Sequence, residues 1–350
     1  MTNVAKNLAS EEKAPIAFTR KDMKTDNDVR WCPGCGDYAI LATIQKTMPL
    51  LGVAKEDLVF ISGIGCSSRF PYYMKTYGMH SIHGRAPTFA TGLKVSRPDL
   101  SVWMITGDGD GFSIGGNHMM HLLRRNVDIN VLLFNNEIYG LTKGQYSPTS
   151  EVGKVAKSTP YGSIDHPVNP VSIALGAEAS FVARVADTDA KLMGAIFQRA
   201  HAHKGTAFIE ILQNCIVFND GAFASVSDKK TRGSNQVHLE HGKPLIYDDG
   251  KKGIALDSKT MKPVIVDLEA NPDAETTLLI HDEQDSSGML AQVYAWMRHP
   301  QMPIPVGVFR AIERPNYDTE TNAQRDAVIE KEGKGTLEEL LNAGDVWDVD

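Results

Sequence analysis

Apolar runs and helix-period segments take turns along the first two thirds of the chain. Short β-rich runs occur at Leu58–Ile61, Ser101–Thr106, Ile129–Asn135, Phe181–Val185 and Thr206–Leu212. Between them, Tyr38–Met48, Ile114–Arg125, Val171–Ala179 and Asp189–His203 carry apolar residues three and four apart, the spacing of one helix face. Strand–helix alternation of this kind predicts a doubly wound α/β layer structure, a mostly parallel sheet with helices on both faces. Ligands of such sheets gather at the C-terminal ends of the strands.

The flanks read differently. Residues 1–30 form a polar leader, the pattern of a flexible or partner-embracing terminus. Past Cys215, PLIYDDGKKGIALD places two apolar-flanked pieces around Asp249-Gly250, a hairpin signal, and KPVIVDL supplies a further extended run. GMLAQVYAWMRH is helix-like, PIPVGVFRAIERP follows it, and an acidic tail begins after Asp318. These boundaries divide the chain into the leader, a main domain at 31–220 and a C-terminal extension at 221–350 with hairpin and subunit-interface elements, an appendage to the main layer structure.

Composition narrows the picture modestly. An apolar fraction of 42% and a charged fraction of 23% are those of an ordinary soluble protein. A net charge of −7 without a basic stripe argues against nucleic acid as a partner. No window approaches the apolar run that spans a bilayer, and the leader lacks the apolar core of a signal peptide, so a cytoplasmic protein with no membrane association is expected. In a reducing compartment its cysteines stay free of disulfides.

Two sets of residues could carry chemistry. The first is GDGDGF, directly after the apolar run VWMIT. Its glycines let backbone approach an anionic oxygen, and Asp108 offers a carboxylate to a hard cation. On its own, Gly-Asp-Gly is more often a turn with a capping Asp. The following run, INVLLFN, leads directly into Asn136, however, and adjacent parallel strands would bring Asp108 and Asn136 to one crevice where magnesium and a diphosphate fit. The second set is Cys32 and Cys35 in WCPGCGD, Cys66 in GIGCSSR and Cys215 in LQNCIVFND. Four thiolates suit zinc or an iron–sulfur cluster equally by spacing. A neighbouring redox-capable cofactor favours the cluster, while unconnected core cysteines are the plainer alternative.

GDG followed by NN is a signature of thiamine-diphosphate enzymes. Together WCPGCGD, GIGCSSR, HGRA, NNEIYGLTKGQ and the distant NC resemble the β subunit of 2-oxoacid:ferredoxin oxidoreductases, over about Trp31 to Asp220. The resemblance implies a thiamine-diphosphate-binding fold of the α/β class. It implies a [4Fe–4S] cluster on Cys32, Cys35, Cys66 and Cys215, and magnesium on Asp108, Asn136 and the carbonyl of Ile138. Thiamine diphosphate would touch Ile64, Gly65, Cys66, Ser67, His83, Gly109, Asp110, Gly140 and Leu141. His83 would donate to the diphosphate, Arg85 would lend charge to an anionic substrate or intermediate, and Lys143 would pair with a substrate carboxylate. Without the family, a turn histidine with a solvated arginine is an equally good reading of His83 and Arg85, and a solvated loop cation is the commoner reading of Lys143.

The activity so implied is the coenzyme A-dependent oxidative decarboxylation of a 2-oxo acid, or its reverse, with electrons leaving singly for ferredoxin. A partner α subunit would supply the glutamate that activates the aminopyrimidine, so the active site is expected at a subunit interface. The lysine in GLTKGQ points to 2-oxoglutarate (with succinyl-CoA on the other side of the reaction) rather than pyruvate, indolepyruvate or a branched-chain 2-oxo acid. A rival of another class is a zinc-stabilised scaffold subunit without turnover. His118 and His121, three apart on a helix, and His238 and His241 read as packing or surface residues.

Overall fold

The computed structural model describes residues 17–347 and 349. Its main layer is an eight-stranded sheet built on the apolar runs. In chain order the elements that frame it are α1 (Asp37–Thr47), β1 (Leu58–Ser62), β2 (Tyr77–His80), α2 (Ala86–Ser96), β3 (Ser101–Gly107), α3 (Asp108–Phe112), α4 (Gly116–Arg125) and β4 (Asn130–Asn135). They continue with α5 (Pro170–Gly176), β5 (Phe181–Ala186), α6 (Ala190–Ala202) and β6 (Ala207–Leu212). The order across the sheet begins β2-β1-β3-β4-β6-β5, and every pair in it is parallel. Strand order reverses between β1 and β3, which opens a crevice beyond their C-terminal ends.

Side chains of each strand alternate between two apolar layers, as the period of two requires. Val59, Ile61, Val102, Met104, Val131 and Leu133 pack with Ala90 of α2, Leu122 of α4 and Val171 of α5. Leu58, Phe60, Trp103, Ile105, Leu132 and Phe134 join the other layer, with Ile40 and Ile44 of α1 and Phe197 of α6. Each fully buried large side chain there contributes about 2 kcal/mol. The sheet is therefore covered on both faces and can hold the strand ends rigidly.

All five expected strands and all four expected helices form within a few residues of their predicted ends. Two elements escape the pattern. β2 is exposed along its length and carries no apolar alternation. Helix α2 buries only Ala86, Pro87, Ala90 and Lys94, small or polar residues that draw no apolar stripe.

The C-terminal extension is an appendage only in part. After short helices α7 (Ala224–Ser227) and α8 (Arg232–Asn235) come β7 (Gln236–Leu239), β8 (Ile246–Tyr247), β9 (Lys252–Leu256), β10 (Pro263–Asp267), α9 (Met289–Ala295) and β11 (Ile304–Ala311). β8, β9 and β10 make a separate antiparallel sheet, and the hairpin turns at Asp248, Asp249 and Gly250, all at positive φ. By contrast, β11 pairs antiparallel with β5, and β7 lies parallel to β11, so both complete the main sheet. The acidic tail becomes helix α10 (Tyr317–Glu332) and the short α11 (Leu337–Leu341). α10 is docked by Asp318, whose carboxylate accepts the Asp128 N–H at 3.0 Å. Residues 1–16 of the leader lie outside the described residues, but its end is anchored, with Met23 buried and Lys24 bridged to Met74.

Candidate active site at the strand ends

The crevice is assembled by register. Gly107 of β3 lies opposite Phe134 of β4, and Asn135 lies opposite Leu212 of β6. Asp108, Asn136 and Gln213, one position beyond each strand, therefore leave the sheet side by side. The loop after β1 adds Ile64 to Ser67 from the other side of the switch point.

Asp108 is buried at 2% exposure, and its Oδ2 accepts hydroxyl bonds from Ser147 at 2.5 Å and Thr149 at 2.6 Å. Burial pushes its carboxyl above the usual range, and the hydroxyls oppose that shift. A cation on the carboxylate would restore the ionised form. The side-chain oxygen of Asn136 accepts the Ile138 N–H at 3.2 Å, which curls the chain so that Ile138 also faces the crevice. Glu137 between them has positive φ, and burial lifts its carboxyl to about 8, with Asp108 adding repulsion.

Asp110 has a structural task besides the expected cofactor contact. Its Oδ1 accepts from the Ile64 N–H at 3.1 Å, the Gly84 N–H at 2.7 Å and His83 Nδ1 at 2.6 Å, while Oδ2 accepts the Thr106 hydroxyl at 2.7 Å. The carboxylate is a clamp that joins the β1 loop, the histidine loop and β3, and Asp110 itself lines the crevice. Two glycines admit this packing. A Cβ on Gly63 would stand 1.9 Å from Asp110 Oδ2, and one on Gly109 would stand 2.1 Å from the Tyr139 ring. Tyr139 in turn donates to the Gly109 carbonyl at 3.1 Å.

The cysteine loops converge on the same end of the sheet. The Cys35 N–H donates to the Cys32 carbonyl at 3.0 Å, closing the CPGC turn around Gly34, which has φ +85°. Gly36 donates to the Asn214 carbonyl at 3.1 Å, which ties that turn to the Cys215 loop. The Trp31 indole donates to the Cys66 carbonyl at 2.7 Å. A Cβ on Gly140 would touch the sulfurs of both Cys66 and Cys215 at 3.6 Å. Burial pushes the Cys66 thiol up to about 12 and raises Cys35 and Cys215 as well; Cys215 adds repulsion at both Cys35 and Cys66. A bound metal would deprotonate such thiols outright. Among the described residues, no three His, Cys, Asp or Glu side chains converge tightly enough for a single ion.

One cavity of about 130 Å³ gathers most of the expected residues. It is lined by Ile64, Gly65, Cys66, Ser67, His83, Asp108, Gly109, Asp110, Asn136, Ile138, Gly140 and Leu141. Arg85 and Lys143 are exposed and outside that lining. The Arg85 guanidinium meets His118 Nε2, so the helix histidine set aside in the sequence has a partner at the rim. Lys143 holds positive φ in a loop closed by the Tyr139 N–H on the Gln145 carbonyl at 2.8 Å. Ser147, Thr149, Tyr139 and Gln213 had no sequence signal beyond their neighbourhood, since each acts through a contact that only the fold creates.

The class of protein follows from this fold and crevice. The family of the thiamine pyrophosphate enzyme, C-terminal TPP binding domain, matches residues 63–211. The chain is 49% identical over 339 residues to the 2-oxoglutarate oxidoreductase subunit KorB of Mycobacterium tuberculosis, covering 94% of this chain and 88% of the relative. It is 45% identical over 205 residues to the 2-oxoacid:ferredoxin oxidoreductase 1 beta subunit of Aeropyrum pernix, covering 59% of this chain and 63% of that one. A solved 2-oxoglutarate:ferredoxin oxidoreductase from Magnetococcus marinus, with 2-oxoglutarate, coenzyme A and succinyl-CoA bound, superimposes with TM-score 0.74 at 32% identity, covering 95% of this chain and 98% of that chain. The chain belongs to the beta subunits of the 2-oxoacid:ferredoxin oxidoreductases. No helix among the described residues is long and apolar enough to cross a membrane.

Proposed function

We propose that this beta subunit, joined to an alpha subunit, carries out the coenzyme A-dependent oxidative decarboxylation of 2-oxoglutarate, or the reverse carboxylation of succinyl-CoA, with ferredoxin as the electron partner. The observation that carries the reading is that Asp108 and Cys66 line one cavity, so a magnesium-held diphosphate and a thiolate-held cluster would be neighbours. The names of the relatives and the ligands of the solved neighbour support 2-oxoglutarate as the substrate.

When bound, thiamine diphosphate supplies an electron sink for decarboxylation and a [4Fe–4S] cluster supplies a one-electron outlet. Asp108, Asn136 and the Ile138 carbonyl would hold magnesium. Cys32, Cys35, Cys66 and Cys215 would hold the cluster. The Asp110 carboxylate accepts from His83 Nδ1, so Nε2 would donate to an anionic oxygen only with both ring nitrogens protonated. Arg85 and Lys143, both exposed, would meet the charges of the incoming acid. Ile82, Ile114 and Leu141 are exposed around the mouth of the crevice, which supports a partner subunit as its missing wall and as the source of the pyrimidine-activating glutamate. The domain at 31–220 would bind the cofactors and the extension at 221–350 would take part in assembly.

The test is anaerobic purification of this chain co-expressed with its alpha partner. The complex is expected to be brown, to hold about four irons per beta chain, and to reduce ferredoxin with 2-oxoglutarate and coenzyme A faster than with pyruvate. A colourless, zinc-loaded complex without turnover would leave the scaffold reading standing instead.

A further inference from the structure

Gln213 is a candidate that neither the mechanism nor the motifs have absorbed. It is the first residue beyond β6, 1% exposed, and its backbone N–H is spent on the Asn135 carbonyl at 2.8 Å. Its amide spans the two proposed metal sites. Nε2 donates to Cys35 Sγ at 3.2 Å and to the Asn214 carbonyl at 2.6 Å. Oε1 accepts from Asn136 Nδ2 at 2.8 Å. The Asn214 carbonyl can only accept, so it fixes which end of the Gln213 amide faces Cys35. The Asn136 amide is fixed in turn, since its Nδ2 faces Gln213 and its Oδ1 is directed the other way, where it accepts the Ile138 N–H.

We infer that Gln213 is a positioning residue that links the two centres: its N–H raises the reduction potential of the cluster through the Cys35 sulfur, and its carbonyl orients Asn136 toward magnesium. The inference rests on the proposed cluster and magnesium sites. A donor to a ligating thiolate stabilises the more negative, reduced cluster, so its removal lowers the potential. An acceptor behind a metal-ligating amide holds that amide in its ligating rotamer, and loss of such a contact weakens binding.

Two substitutions separate the arms. Gln213→Leu removes both contacts. Gln213→Glu keeps an acceptor for Asn136 and removes the donor to Cys35. Each is made in the co-expressed complex and compared with the unmodified complex by potentiometric titration of the cluster's electron paramagnetic resonance signal, and by calorimetric titration of magnesium and thiamine diphosphate. In both variants the ratio of reduced to oxidised cluster at fixed potential is expected to fall about tenfold, about 59 mV for one electron. Binding of magnesium and thiamine diphosphate is expected to weaken about tenfold in the leucine variant alone. An unmoved potential with the cluster fully loaded overturns the first arm, and equal weakening of binding in both variants overturns the second. If neither variant assembles a cluster, Gln213 is an assembly residue and the inference fails. Absence of a cluster signal in the unmodified complex, by contrast, would count against the function proposed above.

Discussion

His83 Nδ1 meets Asp110 Oδ1 at 2.6 Å, although His83 comes from the loop after β2 and Asp110 from α3, on opposite sides of the sheet's switch point. The same oxygen holds the Ile64 and Gly84 N–H groups, so a single buried carboxylate sets the positions of the β1 loop, the histidine loop and the turn after β3. The ring's tautomer and the shape of the cofactor crevice therefore have one common support.

Replacing Asp110 with Ala should accordingly act on stability and binding together. Two backbone donors and the Thr106 hydroxyl lose their acceptor inside the fold, and a loss of about 2–4 kcal/mol is expected. Denaturant unfolding measures that part. Titration with thiamine diphosphate and magnesium measures the other, expected to weaken about 10–100-fold. A variant that unfolds early yet binds normally would deny the clamp its role in the crevice.

Gly109→Ala tests the glycine against Tyr139. The added methyl would overlap the ring at 2.1 Å, and overpacking of this kind costs about 1–3 kcal/mol. Shortening the ring in Gly109→Ala/Tyr139→Leu is expected to recover most of that loss, read as a rise in melting temperature over the single variant. No recovery would show that the glycine is needed for its backbone and not for space.

The fold also carries a pH signature remote from the crevice. His281 is 1% exposed, donates from Nε2 to the Val308 carbonyl at 2.7 Å, and has no partner at Nδ1 among the described residues. Burial holds its pKa below the ordinary 6.5. As pH falls through 6.5 the unfolded chain takes up the proton before the folded chain does, so this group's contribution to stability is present above that pH and is lost below it. Urea midpoints at neutral pH and near pH 5 should differ less in His281→Gln than in the native protein, on the order of 1 kcal/mol. Equal differences would assign the acid sensitivity to His201 and His203, which burial also depresses.

Lys143 is the residue on which the proposed substrate choice would turn. It is exposed on a loop beside the crevice, with positive φ that a long side chain adopts only under constraint from the closed turn. Lys143→Ala is expected to lower kcat/KM for 2-oxoglutarate about tenfold or more while leaving pyruvate within about twofold. An unchanged ratio between the two acids would remove the lysine from specificity.

Much of this protein was decided locally. The apolar runs and helix-period segments define the parallel layers because burial on both faces demands apolar residues at those positions, and they form where expected. The cysteine and GDG–NN motifs mark the crevice, and the proposed metal and phosphate chemistry would restrict which residues can serve there. Tertiary structure alone decided the rest. β11 and β7 join the main sheet through long-range pairing that no short window encodes. Asp110 becomes a clamp as well as a lining residue of the crevice, and Gln213 becomes a bridge between Cys35 and Asn136, because hydrogen-bond partners 26 to 178 positions apart in the chain meet only after the strands have been ordered. Sequence pattern reports which surfaces must be buried; which polar atoms then face one another is settled by how the strand ends come together.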